Sequence, residues 1–162
     1  MLGTIALTED QVIEGVANFL KQKGRTVNKS VKRLAEASKR QHGIDLHIKL
    51  ADEKNQGNNY FIEAKGNIRS DGQAMRSSFT TNFRWALSQI VLRMRVDSRR
   101  NNYIYGVAMP DSEIKKAIAM IEGNWALKEL KVRLYGAFRC DEGILFAKEY
   151  SPKDIYEKGQ RR

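Results

Sequence analysis

The sequence predicts an α/β domain in which helices flank a central mixed sheet. Three patterns predict this class: a capped amphipathic helix near the start, a stretch of alternating apolar and polar residues, and a long helix followed by an apolar strand. The 162 residues, 41% of them hydrophobic, suffice for one domain with its own core. We expect this domain to occupy residues 1–150 and a polar tail to occupy residues 151–162.

The first helix begins at a capping signal. Thr8 is followed three residues later by Gln11, which is the T-x-x-Q pattern of a capping box. Gly24 marks the end of the helix, and we expect a short strand at residues 25–28. The apolar stripe between these signals has helical spacing and comprises Val12, Ile13, Val16, Phe19 and Leu20.

A β-hairpin in the first half of the chain carries the clearest strand pattern. Residues 44–50 alternate between apolar and polar, which is typical of a strand with one buried face. Residues 60–65 form the second strand, which Gly66 ends, and the polar residues 52–59 form the turn between the two strands. If this turn centres near position 54 or 55, facing residues have numbers that add up to about 109.

Further helices and strands follow the hairpin. The expected elements, in chain order, are a long helix at 78–97, a strand at 103–109, a helix that Pro110 and Asp111 begin, and strands at 132–138 and 144–147. The stripe of the long helix comprises Phe79, Phe83, Leu87, Ile90 and Met94. Up to residue 109, the predicted order of elements is α-β-β-β-α-β.

The charge balance indicates a polyanionic partner. The chain has 29 Lys and Arg residues against 19 Asp and Glu residues, which gives a net charge of +10. Such an excess favours nucleic acid, and a basic protein without such a partner is the alternative. We expect the phosphate contacts in the basic stretch 21–40, in the loop 67–76 and in the run 93–100.

Cysteine and histidine usage narrows the kinds of site. Cys140 is the single cysteine, and His42 and His47 are the two histidines, which excludes an internal disulfide and an ordinary structural zinc site. No apolar run is long enough to cross a bilayer, and the first residues lack the features of a signal peptide. We therefore expect an intracellular, cytoplasmic protein with no membrane contact.

The pattern acid-x-lysine occurs four times, and its context distinguishes one copy. Asp52-Glu53-Lys54 lies in the polar turn of the hairpin. Glu113-Ile114-Lys115 lies in the first turn of a helix, where the helix dipole alone favours an acid, and Glu129-Leu130-Lys131 lies near the end of another helix. Only Glu63-Ala64-Lys65 ends an apolar strand and is followed by a glycine.

The hairpin brings a second carboxylate toward this copy. The predicted register places Asp45 opposite position 64, between Glu63 and Lys65, which share one face of their strand. Two carboxylates so close repel each other unless a cation lies between them, and Mg²⁺ accepts such oxygen ligands. Bound Mg²⁺ activates water and stabilises a phosphoryl oxygen, and a neighbouring lysine orients that water or neutralises the transition state. The alternative is an exposed Glu–Lys pair at a strand end.

These residues resemble the PD-(D/E)xK nuclease superfamily, whose members share the restriction-endonuclease-like fold. The matching segments are Gly43-Ile44-Asp45 and Phe61-Ile62-Glu63-Ala64-Lys65-Gly66. The resemblance covers about residues 8–109, and Ile44 stands where many members have proline. It implies Mg²⁺-dependent (or Mn²⁺-dependent) hydrolysis of DNA phosphodiester bonds. Asp45 and Glu63 would be metal ligands, the Ala64 carbonyl a further ligand, and Lys65 the catalytic lysine.

The resemblance also implies roles for two helical residues. Glu9 lies on the apolar stripe of the first helix and is similar to the early-helix glutamate that many members use as an additional metal ligand. Stabilisation by the helix dipole alone is the alternative for Glu9. Gln89 lies on the flank of the long helix and resembles the glutamine that many members place beside the catalytic lysine. A solvated glutamine at the helix edge is the alternative.

A second apolar stripe on the long helix predicts a covering partner. Trp85, Leu92 and Val96 lie nearly opposite the stripe that we expect to face the sheet. Later structure or a second subunit would cover them, and a homodimer would suit cleavage of two strands.

The sequence as a whole predicts a Mg²⁺-dependent DNA endonuclease. A non-catalytic nucleic-acid-binding module on the same fold is the alternative. RNA is a lesser candidate because the sequence has no aromatic RNA-recognition pattern. A junction resolvase, a restriction-type enzyme and a repair or phage nuclease use the same chemistry and are not distinguished.

Overall fold

The computed structural model describes residues 6–23, 46–49, 59–94 and 103–156, and these residues form a mixed five-stranded sheet with helices on both faces. The strands are β1 (Leu46–Lys49), β2 (Asn59–Ala64), β3 (Tyr103–Pro110), β4 (Arg133–Arg139) and β5 (Leu145–Tyr150). The helices are α1 (Glu9–Gln22), α2 (Phe79–Arg93), α3 (Asp111–Ile121), α4 (Trp125–Glu129) and α5 (Pro152–Tyr156).

The strands lie in the sheet in the order in which they occur in the chain. β1 and β2 are antiparallel, β2, β3 and β4 are parallel to one another, and β4 and β5 are antiparallel. The carboxyl ends of the three parallel strands therefore meet at one edge of the sheet. This arrangement confirms the predicted α/β class with a mixed sheet.

Two apolar layers cover the two faces of the sheet. α1 packs on one face, where the buried side chains include Leu20, Tyr60, Ile62, Tyr135 and Ala147. α2, α3 and α5 pack on the other face, where the buried side chains include Phe83, Ile90, Val107, Ile114 and Tyr156. The predicted stripes of the first helix and of the long helix both face the sheet.

The predicted capping box at the start of α1 is confirmed. The backbone nitrogen of Gln11 donates to Thr8 Oγ1 at 3.3 Å, and the backbone nitrogen of Thr8 donates to Gln11 Oε1 at 3.0 Å. These two bonds satisfy backbone donors that a helix start otherwise leaves without a partner. The box fixes the direction in which the chain enters α1.

The hairpin forms, with a register at one end of the predicted range. Leu46 pairs with Ile62 and Lys49 pairs with Asn59, which corresponds to a turn centred at position 54. The predicted sum of about 109 for facing residue numbers would have placed Leu46 opposite position 63. Asp45 and the strand predicted at 25–28 lie outside the described residues, as does Gly24, the predicted end of the first helix. The described elements before residue 110 occur in the order α-β-β-α-β.

Two element boundaries differ from the prediction. α2 ends at Arg93, before the predicted residue 97, because the backbone of Met94 is extended, with φ −67° and ψ 125°. The expected polar tail begins instead with α5, in which Ile155 and Tyr156 are buried. Ser151 caps α5 by accepting from the backbone nitrogen of Asp154 at 3.3 Å. The core therefore continues beyond residue 150, and the prediction for 151–156 was wrong.

None of the helices in the described part of the chain is long and apolar enough to span a bilayer.

Candidate active site at the end of β2

The carboxyl end of β2 carries the acid-x-lysine copy that the sequence distinguished. Ala64 is fully buried and pairs with Ala108 of β3. The backbone nitrogen of Lys65 donates to the Ala108 carbonyl at 2.9 Å, so ladder-type bonding to β3 continues past the last residue of β2. The backbones of residues 63–65 are thus held at the sheet edge where the parallel strands end.

Glu63 is buried and paired with cations on both carboxylate oxygens. The side chain is only 2% exposed. Lys65 Nζ lies 2.8 Å from Oε1, and Arg93 Nη1 lies 3.1 Å from Oε2. An ionised carboxylate at this depth loses its hydration, and charge-assisted hydrogen bonds offset that cost. Glu63 is therefore the centre of a buried ion-pair network, which contradicts the alternative of an exposed Glu–Lys pair at this strand end.

Gln89 completes the environment of this carboxylate. It lies one helical turn before Arg93 on α2, so both side chains project from the same side of the helix. With its amide nitrogen oriented toward Glu63, as the surrounding hydrogen bonds require, Gln89 donates to both carboxylate oxygens, at 3.1 Å to Oε2. The structure thus places Gln89 in contact with Glu63, and its predicted place beside a catalytic lysine stays a prediction.

Glu9 reaches the same site from the first turn of α1. Its Oε2 lies 3.7 Å from Lys65 Nζ, and its side chain is 39% exposed. Lys65, with a side chain 15% exposed, therefore lies between two carboxylates, Glu63 and Glu9. A partly exposed carboxylate beside a buried one gives the site one side that solvent reaches.

Backbone contacts fasten the start of α1 to the loop after β2. The backbone nitrogen of Leu7 donates to Asn67 Oδ1 at 2.8 Å, and the backbone nitrogen of Asn67 donates to the Leu7 carbonyl at 3.0 Å. Gly66 lies so close that a β-carbon there would come within 2.5 Å of the Glu9 backbone nitrogen. Only glycine permits this approach, and the approach brings Glu9 to Lys65.

The chemistry of the donors suits a hard divalent cation. Glu63 and Glu9 supply carboxylate oxygens around one lysine, and oxygen ligands are those that Mg²⁺ and Mn²⁺ prefer. Among the residues that the structure describes, no cluster of three or more His, Cys, Asp or Glu side chains is assembled. Asp45, the other predicted ligand, lies outside those residues.

The remaining copies of the acid-x-lysine pattern lie elsewhere or have other partners. Lys115 forms an ion pair with Asp111 at 2.7 Å on the surface of α3 and is 65% exposed. Lys131 is exposed and follows α4. Lys54 lies outside the described residues. Among these three lysines, Lys65 is the one for which the structure gives an ion pair with the acid of its own tripeptide, whereas Lys115 pairs with Asp111 and not with buried Glu113.

Arg93 is the residue whose role the sequence analysis missed. It was assigned to a run of phosphate-contacting residues, and the structure places its guanidinium on Glu63. The signal that could have identified it is the spacing of four residues from Gln89, which puts both on one helix face.

The loop 67–76, predicted to contact phosphates, is an ordered projection next to the site. Ile68 and Ala74 form an antiparallel bridge, and the backbone nitrogen of Arg69 donates to the Gln73 carbonyl at 2.7 Å. Arg69 and Arg76 are exposed, and Arg69 pairs with Asp71 at 3.0 Å. The loop therefore carries two exposed arginines and follows Lys65 and Gly66 in the chain.

The second stripe of α2 is exposed in the described part of the chain. Trp85 is 63% exposed and Leu92 is 82% exposed, and they lie two turns apart. Val96 lies outside the described residues. The predicted homodimer through this stripe stays a prediction.

Comparisons with protein-family models, with curated proteins and with solved structures found no match to this chain.

Proposed function

We propose that this protein is a metal-dependent DNA endonuclease that hydrolyses phosphodiester bonds. The observation that carries the proposal is the convergence of Glu9, Glu63, Lys65 and Gln89, from three elements distant in sequence, at the carboxyl edge of the parallel strands. These are the described residues that the resemblance to the PD-(D/E)xK superfamily singles out as side-chain site residues. The mixed sheet and the element order support a restriction-endonuclease-like fold for the domain.

Oxygen donors at this edge would hold the metal, Mg²⁺ or Mn²⁺. We assign the Glu63 carboxylate and the Ala64 carbonyl to it, with Glu9 as an additional ligand. Asp45 is the further ligand that the resemblance implies, and it directly precedes β1 in the sequence. When bound, such a metal lowers the pKa of a coordinated water and stabilises charge on a phosphoryl oxygen.

The other side chains of the site would have separate roles in the proposed reaction. Lys65 presents an ammonium group at the edge of the network, where it can donate to an oxygen of a scissile phosphate or orient the attacking water. Gln89 acts as a positioning residue because it fixes the orientation of the Glu63 carboxylate through both oxygens. Burial of Glu63 limits competition from bulk water for the same oxygens.

DNA is the proposed substrate because the charge of the chain and the loop next to the site both suit a polyanion. The net charge is +10, and the loop 67–76, which follows Lys65 and Gly66 in the chain, exposes Arg69 and Arg76. The single cysteine agrees with the cytoplasmic location that the sequence predicts.

One observation favours the non-catalytic alternative. Both oxygens of Glu63 already accept from protein donors, Lys65 on Oε1 and Arg93 on Oε2. Such a network is also what a purely structural buried carboxylate requires. A module that binds nucleic acid without cleaving it would keep this network and need no metal.

Cleavage with and without metal separates the two functions. Supercoiled, linear, single-stranded and branched DNA would be incubated with the protein in Mg²⁺, in Mn²⁺ and in EDTA. We expect the wild type to cleave at least one substrate with metal and none in EDTA. Glu63→Gln should cleave no substrate under any of these conditions. DNA binding without cleavage in every metal and on every substrate would overturn the nuclease and favour the binding module.

A further inference from the structure

We propose that Arg93 competes with the divalent cation for Glu63 and thereby makes metal binding depend on bound DNA. The inference rests on the proposed function, in which Glu63 is a metal ligand. It assigns to Arg93 a positioning role that its place in a basic run did not suggest. A phosphate of the nucleic acid would compete with Glu63 for Arg93, because a guanidinium binds phosphate in bidentate geometry. Arg93 would then release Glu63.

Among the described residues, Glu63 contacts two positively charged side chains. One carboxylate, with its side chain 2% exposed, has Lys65 at 2.8 Å and Arg93 at 3.1 Å. A divalent cation bound to the same carboxylate would lie within a few ångströms of both positive groups. Water screens charge poorly at this depth, so the two like-charged groups oppose the cation strongly.

The two positive groups differ in their surroundings. Lys65 also lies 3.7 Å from Glu9, so a carboxylate remains beside it if Glu63 turns toward a metal. Its backbone is fixed to β3 by the bond to the Ala108 carbonyl. Arg93 is the last residue of α2, its side chain is 21% exposed, and the chain leaves the helix at Met94. Of the two cations, Arg93 can therefore move from Glu63 to an external anion with the smaller change in structure.

A phosphate of bound DNA is the anion that Arg93 would contact instead of Glu63. Arg93 lies at the same edge as Lys65, which the proposed function places against the scissile phosphate. A guanidinium that turns from a carboxylate to a phosphate keeps a charge-assisted hydrogen bond, so the exchange costs little. Once Arg93 has moved to a phosphate, Glu63 has one positive neighbour fewer and binds a cation more readily. DNA and metal would then each strengthen the binding of the other, as thermodynamic linkage requires.

Binding of Mn²⁺, measured by electron paramagnetic resonance, tests the inference without relying on catalysis. Arg93→Met removes the charge and keeps most of the side-chain volume. Without DNA, we expect this variant to bind Mn²⁺ about tenfold more tightly than the wild type, or more. With a short phosphorothioate duplex, which resists hydrolysis, the wild type should gain Mn²⁺ affinity, and Arg93→Met should gain markedly less.

Matched variants exclude the simpler explanations. Arg84→Met removes an equal charge from the exposed surface of α2 and should bind Mn²⁺ like the wild type. Arg93→Lys keeps the charge and should also bind like the wild type. If Arg93→Met fails to fold, Arg93→Gln removes the charge while keeping a hydrogen-bond donor, and the same gain in affinity is expected.

The outcomes distinguish this inference from the function on which it rests. Mn²⁺ affinity that is unchanged or weaker in Arg93→Met and Arg93→Gln overturns the inference, provided that Glu63→Gln still abolishes binding. An equal DNA-induced gain in wild type and Arg93→Met overturns the coupling. Absence of any Glu63-dependent Mn²⁺ binding in the wild type overturns the proposed metal site itself.

Discussion

The backbone of Gly66 lies against the backbone of Glu9. A β-carbon on residue 66 would come within 2.5 Å of the Glu9 nitrogen and within 2.6 Å of the Thr8 carbonyl carbon. Both neighbours are backbone atoms, which cannot turn away as a flexible side chain can. This close approach links the end of β2 to the start of α1, and it places Glu9 beside Lys65.

Replacing Gly66 should therefore damage both the fold and the site. We expect Gly66→Ala to lower the free energy of unfolding by about 1–3 kcal/mol, because the added carbon must push the start of α1 away. Urea unfolding measures this effect. Ser70→Ala, at an exposed position of the next loop, should change stability by less than about 0.5 kcal/mol. Equal stability of the two variants would contradict the close packing of α1 on Gly66.

Gln89 should contribute to stability through the buried carboxylate. Gln89→Ala removes the amide that donates to both oxygens of Glu63, and a buried charge that loses a donor costs about 1–3 kcal/mol. Ser88→Ala, at the exposed neighbouring position of α2, should be neutral or slightly stabilising. Urea unfolding in EDTA compares the two variants. The contact is refuted if Gln89→Ala unfolds at the same urea concentration as Ser88→Ala.

The burial of Tyr156 in α5 predicts a loss of stability at high pH. Burial raises the pKa of Tyr156 from 10.0 to about 12. The unfolded chain loses this proton first, so the fold retains the full contribution below pH about 10 and loses it as pH rises toward about 12. The loss should be about 1.4 kcal/mol for each pH unit in that window.

Tyr156→Phe isolates this effect. The variant lacks the hydroxyl that donates to the Val132 carbonyl at 3.3 Å, so it should be slightly less stable at neutral pH. Above pH 10 the wild type should lose stability relative to the variant. A constant difference between the two proteins from pH 8 to pH 11 would mean that Tyr156 is solvated.

The parts of the fold that the sequence predicted are those with local signals. Thr8 and Gln11 are three residues apart, and the strand before Glu63 is bounded by polar residues and by Gly66. Such patterns depend on neighbours in the chain, so they survive without knowledge of the tertiary structure. The first turn of α5 had the same kind of signal, Ser151 before Pro152 with Asp154 three residues on, but the polar composition of the segment favoured a tail.

The burial of Glu63 had no local signal, and the spacing of Arg93 from Gln89 did not by itself identify Glu63 as the partner of Arg93. Arg93 lies 30 residues from Glu63 along the chain, and their contact depends on how α2 packs across β2. The same holds for the approach of Gly66 to Glu9, which depends on packing between residues far apart in sequence. Context and resemblance indicated the types of residue in the site and left their partners open.

DNA binding should depend on salt and on the loop beside the site. Each phosphate contact releases counterions, so the logarithm of the affinity should fall linearly with the logarithm of the salt concentration. Arg76→Ala should reduce that slope by about one contact and weaken binding to all DNA sequences alike. Lys115→Ala, on α3, should leave the slope unchanged. Affinity that does not change between low and physiological salt would contradict a nucleic-acid partner.

Single-turnover cleavage of DNA by Lys65→Ala in saturating Mg²⁺ measures whether Lys65 acts in a metal-dependent cleavage site. A circular dichroism melt first establishes that the variant is folded at the assay temperature, because the change also removes an ion pair from buried Glu63. We expect cleavage to slow by about 10²–10³-fold, the usual effect of losing a donor aimed at developing charge. Lys115→Ala, from the copy of the same tripeptide on α3, should cleave at the wild-type rate. If a folded Lys65→Ala cleaves like the wild type, or if Lys115→Ala slows cleavage equally, Lys65 has no specific role in cleavage.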